Sequence, residues 1–355
     1  MEAEQNCCRH EPHKKRKWYF DPLLLVSAAT IILLALSFVL PILFKFRETF
    51  LEYLRIIFLP VLAGLIIGGI VDHYIPSEYI SKLLTKTKKR TVLYATCLGF
   101  LASACSHGVL ALSMELHKKG APGSAVVSFL LASPWANLPI TLLLVGFFGP
   151  KGLLIIMAAL TVSITTGLVF QILDQKGLIE HNRHTVETDP NFSIKEDLMK
   201  RFRLIPESFS RGSGFPIKAF GNDIKSIGKG TLDLAKMVLW WIILGMLLAS
   251  LISSLVPEHI FHRFMGPSFA GLLITLLIAA ILEICSEGTS PLAFEIYKQT
   301  GAFGNAFAFL MGGVVTDYTE IGLIWMNLGK KTALWMIAIT IPQVLLFGLL
   351  FNYFF

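Results

Sequence analysis

Long apolar runs recur along this chain, with the charged residues confined between them. Six stretches, 22–44, 120–150, 152–173, 237–257, 264–282 and 332–355, hold no Asp, Glu, Lys or Arg over about the twenty residues a helix needs to cross a hydrocarbon core of roughly 30 Å. Three more, 56–71, 91–114 and 299–326, are shorter or hold a few polar residues. The pattern predicts an all-α polytopic membrane protein with about nine transmembrane helices. The first run follows His13-Lys14-Lys15-Arg16-Lys17, is too long for a secretory signal and lacks a small-residue cleavage site, so it is expected to stay as an anchor with its N-terminus in the cytoplasm. The basic run 86–90 falls on the same side. Strict alternation would place the basic region 174–236 outside, against the rule, and a re-entrant segment would change that parity.

The pattern also repeats. The segment ACSHGVLALSMELHK from Ala104 returns 180 residues later as ICSEGTSPLAFEIYK from Ile284. Cys105, Ser106, Gly108, Leu112, Glu115 and Lys118 recur as Cys285, Ser286, Gly288, Leu292, Glu295 and Lys298. Gly120, Ala121 and Gly123 match Gly301, Ala302 and Gly304 after a one-residue slip, and Phe129 and Leu130 match Phe309 and Leu310. Duplicated hydrophobic halves with a polar break inside a span point to a transporter whose substrate site lies where the halves meet. The expected organisation is a cytoplasmic tail over 1–21, a first transmembrane helix over 22–48, four-helix units over 49–173 and 236–355, and a charged, partly helical linker over 174–235. Each unit also carries a short proline-led segment, at Pro76 and at Pro257, read as a helix lying at the membrane surface.

Helix length indicates where the units break. The 29 residues of 91–119 would make a helix of about 43 Å, longer than the hydrocarbon core. Ser106-His107-Gly108 is the expected interruption, with Gly288 its counterpart. The next segment is expected to split at Ser133-Pro134-Trp135-Ala136-Asn137 in one unit and across Gly312, Gly313, Thr316 and Asp317 in the other. Unwound backbone at membrane depth is tolerated where it faces protein or a wet cavity, so these breaks outline one internal polar site.

That site gathers chemistry in pairs: Cys105 with Cys285, Ser106 with Ser286, His107 with Glu287, and Asn137 with Asp317. Glu283 precedes Glu287 by four residues and shares its face if the helix continues. Carboxylates in apolar segments are costly and mark substrate paths or proton relays, so Glu283, Glu287 and Asp317 are read as proton-coupling groups and the thiols, Ser106, Ser286, His107 and Asn137 as substrate-binding ones. Plainer readings stand beside these. A cysteine next to glycine also serves as a small packing residue, Asn137 caps a half-helix, and Glu115 and Glu295 sit three residues before lysines, as surface ion pairs do.

Only 15% of the 355 residues are charged and 54% are hydrophobic, against roughly 25% charged in soluble domains. The net charge of +7 fits cytoplasmic flanks against anionic lipid; no basic motif interleaved with aromatics points to nucleic acid. Five cysteines, at 7, 8, 97, 105 and 285, make no disulfide framework. Cys7, Cys8, His10 and His13 form a compact set of soft and imidazole ligands for zinc, copper(I) or trivalent arsenic, at a spacing that matches no closed zinc site; an unstructured tail is the alternative. No phosphate-cradling glycine loop is present, so neither a cofactor nor direct drive by ATP is expected.

Paired C-S-x-G segments, each followed by a helix that ends in a Gly-Ala turn and then by an F-L-L-A-S-P-like segment, resemble the ArsP-like permeases, a prokaryotic family that includes efflux carriers for trivalent organoarsenicals. His107 stands where many members carry a second cysteine. The resemblance covers both units and implies a multi-pass protein of a prokaryotic inner membrane. By that likeness it exports a small thiophilic solute driven by protons and is not an enzyme. A passive channel and an intramembrane thiol enzyme pairing Cys105 with His107 are the readings from other classes.

Overall fold

The computed structural model describes residues 22–74, 89–101, 106–118, 120–182, 217–282 and 284–355, and these are helical with no strand among them. The first half contains α1 (Pro22–Leu36), α2 (Phe44–Tyr74), α3 (Lys89–Leu101), α4 (Ser106–Lys118), α5 (Gly123–Ala136), α6 (Leu138–Phe148) and α7 (Lys151–Gln175). The second contains α8 (Ile217–Leu255), α9 (Glu258–Met265), α10 (Phe269–Leu282), α11 (Ser286–Thr300), α12 (Phe303–Val315), α13 (Tyr318–Asn327) and α14 (Lys330–Phe354).

Five stretches of helix among the described residues are long and apolar enough to cross a membrane: Pro41–Ile67, Lys151–Gln175, Gly228–Leu255, Phe303–Asn327 and Lys330–Phe354. Two bent pairs raise the number to seven if each is one span: α5 with α6, bent by 46°, and α9 with α10, bent by 103°. The nine expected runs are therefore met by five to seven spans. α1 is 15 residues long, or about 22 Å, short of a full crossing. α3 and α4, of 13 residues each, are half-length helices of about 20 Å.

Bilayer, not water, suits the surface of these helices. On α10, Phe269, Leu273, Leu277 and Ile281 recur every fourth residue and are all exposed, a continuous apolar row that water would penalise and lipid accepts. Lipid gives no hydrophobic drive for helices to associate, so small residues and interhelical hydrogen bonds do that work. Between α3, α5 and α7, the Thr96 hydroxyl meets Ser163 Oγ at 3.1 Å and Ser163 donates to the Ser128 carbonyl at 2.7 Å. In the second half Asn305 of α12 donates to the Met265 carbonyl at 2.8 Å and accepts from Asn352 of α14 at 2.7 Å.

The same order of helix lengths runs twice, 13, 13, 14, 11 and 25 residues from α3 to α7 and 14, 15, 13, 10 and 25 from α10 to α14. α5 packs between α3 and α7 as α12 packs between α10 and α14, and α2 lies along α8. Across the joint α4 touches α13 and α6 touches α11. An aromatic cluster fills part of that joint: Tyr53 of α2, Phe147 of α6 and Phe294 of α11 pack with ring centroids 5.0 to 5.6 Å apart.

Candidate functional site

The break between α10 and α11 builds the centre of the site. Cys285 caps α11, its carbonyl accepting the amides of Gly288 at 2.8 Å and Thr289 at 2.9 Å. α11 then starts against α8 because both helices offer glycine at the crossing: the backbone of Gly288 lies where a Cβ on Gly245 would be. This close approach buries Cys285, Ser286 and Glu287. The Cys285 thiol donates to Glu287 Oε2, and Ser286 Oγ donates to the same oxygen at 3.2 Å. Thr289 and Ser290 return their hydroxyls to the Ser286 carbonyl.

Glu287 points across the joint. It is 2% exposed and borders a cavity of about 10 Å³ walled by α2, α6 and α8 through residues such as Val61, Ile140 and Ile242. That volume holds at most one water. In this conformation the thiol and carboxylate are buried, Cys285 at 3% and Glu287 at 2% exposure.

The other expected residues sort into three groups. Asn137 and Asp317 stand at breaks and serve as caps: Asn137 Oδ1 accepts the Ile140 amide at 2.9 Å, and Asp317 Oδ1 accepts the amides of Thr319 at 2.7 Å and Glu320 at 3.0 Å. Five residues expected to break the backbone lie within helices instead. Gly108 and Gly288 are in the first turns of α4 and α11, Pro134 is inside α5, and Gly312 and Gly313 are inside α12. Gly312 packs closely there against Leu276 and Ala279 of α10. The interruptions fall beside them, at Asn137, at Thr316–Asp317 and at Ile284–Cys285. Ser106 and His107 begin α4. Since α10 ends at Leu282 and α11 starts at Ser286, no continuous helix joins position 283 to Glu287. Glu283, Cys105, Cys7, Cys8, His10 and His13 lie outside the described residues, and among the described ones no three His, Cys, Asp or Glu side chains gather as a metal site would need.

One carboxylate escaped the sequence reading. Glu295, expected to pair with Lys298 at the surface, is 1% exposed; Tyr53 of α2 donates to its Oε2, and Gln299 donates to its Oε1 at 2.6 Å. Lys298 turns away and pairs with Glu52 at 2.5 Å. Glu115, its counterpart, is exposed as expected. Helical spacing alone gave no decisive signal, since Glu295 shares a face with Leu292 and Gln299 and equally with Lys298. Glu295 also lines a cavity of about 390 Å³ between α8 and α12, whose other walls are apolar, among them Ile252, Ile278, Leu292 and Phe309.

Comparison with known proteins was made against this geometry. A family model described as a predicted permease, ArsP_1, matches residues 43–353. UPF0718 protein YcgR of Bacillus subtilis is 23% identical over 292 residues, 81% of this chain and 90% of its own length. A Streptococcus mutans protein described as a candidate two-component membrane permease complex subunit is 22% identical over 264 residues, 74% of this chain and 79% of that one. UPF0718 protein MJ0584 of Methanocaldococcus jannaschii is 22% identical over 339 residues, 84% and 93% of the respective lengths. No solved structure matches.

Proposed function

The chain belongs to the ArsP_1 family of predicted permeases, and from that premise we propose that it exports a small soft solute, a trivalent organoarsenical or a thiophilic metal ion, in exchange for protons. The observation that carries the reading is the Cys285 thiol donating to Glu287 in a nearly dry joint between the halves. Trivalent arsenic and thiophilic metals prefer thiolate. When an As–OH centre meets Cys285, the S–As bond forms as the As–OH bond breaks, and the thiol proton passes through Glu287 to the departing hydroxide, which leaves as water. On release a water adds to arsenic as the S–As bond breaks, and its proton passes through Glu287 to sulfur.

In this reading the two runs of helix lengths are duplicated units, 49–173 and 236–355, joined by the linker 174–235 and preceded by the tail 1–21 and the anchor 22–48. Cys105, Ser106 and His107 supply the first unit's share of the site. Glu283 and Asp317 join Glu287 in passing protons, and Cys7, Cys8, His10 and His13 collect the solute on the cytoplasmic side of a prokaryotic inner membrane.

The test is transport into sealed vesicles under an imposed pH gradient, with methylarsenite, arsenite, zinc and copper(I) offered in turn. Gradient-driven movement of methylarsenite, lost in Cys285→Ala and uncoupled from pH in Glu287→Gln, is expected. Movement of none of the four, or full transport by Cys285→Ala, would remove the thiol role.

A further inference from the structure

The buried carboxylate of Glu295 has no part in the site just described, although position 295 lies eight residues, or about 12 Å, along α11 from position 287. We propose that Glu295 is a proton-binding group of the transport cycle, held between α2 and α11 by Tyr53 and Gln299. The inference rests on the permease reading and adds to it a titrating residue outside the thiol site.

Its partners carry the argument. A carboxylate kept permanently charged inside a membrane protein needs a cation beside it. Lys298, three residues on, is paired with Glu52 at 2.5 Å, and both are partly exposed. The groups that do hold Glu295, a phenol and a primary amide, can each donate or accept a hydrogen bond. Tyr53 donates to the carboxylate and, by turning its hydroxyl, accepts from the carboxylic acid. Gln299 does the same by rotating its amide. Such a pair accommodates either charge state, as a site that gains and loses a proton must.

Among the described residues, α2 carries Glu48, Glu52 and Arg55 on its exposed side, and Lys298 Nζ lies 5.7 Å from the centre of the Tyr53 ring. Residues 238–255 of α8, together with α6, α10 and α12, contain no Asp, Glu, Lys, Arg or His. α9 carries Glu258, His259, His262 and Arg263, all exposed. The cavity of about 390 Å³ that Glu295 lines is otherwise apolar, so the carboxyl is the polar group that water or a polar solute entering it would meet. Through the Tyr53 bond that group is joined to α2 in the opposite half.

Infrared difference spectra of the purified protein in lipid, taken between alkaline and acid pH, test this directly. One component of the protonated-carboxyl absorption is expected to be lost in Glu295→Gln, which keeps the shape and both partners, and retained in Glu287→Gln; Tyr53→Phe should shift that component's frequency. A band that survives in Glu295→Gln and vanishes in Glu287→Gln would overturn the inference and leave the thiol site intact. Loss of folding in Glu295→Gln is checked by gel filtration, and Glu295→Asp then serves as the second variant: a band shifted in frequency supports the assignment and an unmoved one refutes it. Since no substrate is present, the spectra stand even if the vesicles move no arsenical.

Discussion

At the scale of single residues, the acidic groups of the apolar segments have separate duties. Asp317 was read from sequence as a proton-coupling residue, and its geometry is that of a cap, one oxygen taking two amides at the start of α13. Removing such a cap costs about 0.5–2 kcal/mol. Asp317→Ala is therefore expected to lower the melting temperature in detergent by a few degrees, while Asp317→Asn, which still caps, leaves it unchanged. If Asp317 also carries protons, Asp317→Asn loses pH-gradient coupling at normal stability; unaltered coupling in Asp317→Asn would reduce the residue to its cap. The sequence found this residue by its charge in an apolar run and could not tell a cap from a relay, because both place an acid at a break. Glu295 was hidden by the reverse ambiguity: Lys298 three residues on offered a surface pair, and only the packing of Tyr53 from a distant helix reveals the acid as buried. Local sequence carries helix faces but not the partner supplied by residues 242 positions away.

Among helices, two contacts allow sharper expectations. The crossing of α8 and α11 requires glycine at 245, where a Cβ would strike the Gly288 backbone, whereas a Cβ on Gly322 of α13 meets nothing within 4 Å. Overpacking a tight contact costs about 1–3 kcal/mol, and replacing a helical glycine that has room gains up to ~1 kcal/mol. Gly245→Ala should lower, and Gly322→Ala hold or raise, the thermal unfolding midpoint; equal effects would mean that the crossing is slack. The repeated C-S-x-G was expected to interrupt a span; at Gly288 the glycine lies one turn into α11, where it lets that helix approach α8, and the interruption stands just before it at Ile284–Cys285. Glycine in a lipid-embedded helix is held by its neighbours and need not itself unwind. The second contact ties the end of the first half to α14. Glu180 accepts the amides of Lys331 and Thr332 and the Thr332 hydroxyl, each at 3.0 Å. Partial burial pushes its carboxyl up, but these bonds outweigh it and hold the group below the ordinary value of 4.5. A depressed carboxyl stabilises the tie above its unfolded value, and the stabilisation is lost as pH falls through the lower folded one. Hydrogen exchange at the Lys331 and Thr332 amides, corrected for its intrinsic pH dependence, should stay slow down to the glutamate range and quicken below it. Protection that ignores this range, or that persists in Glu180→Gln, would exclude the tie.

For the whole molecule, the question is what keeps the helices before and after residues 182–217 together in a solvent that gives apolar surfaces no reason to meet. Packing and polar contacts must supply it, and several cross the joint at different levels: the length of α2 against α8, Tyr53 with Glu295, Glu52 with Lys298, Gln343 with Thr166 at 3.1 Å, and Glu180 with α14. None of these depends on the covalent connection between 182 and 217. Fragments divided within that stretch and co-expressed are accordingly expected to co-purify and to insert as a pair. Weakening the joint with Tyr53→Phe and Glu180→Gln together should reduce recovery of the pair more than it reduces yield of the uncut chain, because the connected halves retain a high effective concentration that separate ones lack. Fragments that purify singly, each stable alone, would show that the linker and not the joint holds the halves in register, and would undercut any mechanism in which solute is gripped between them.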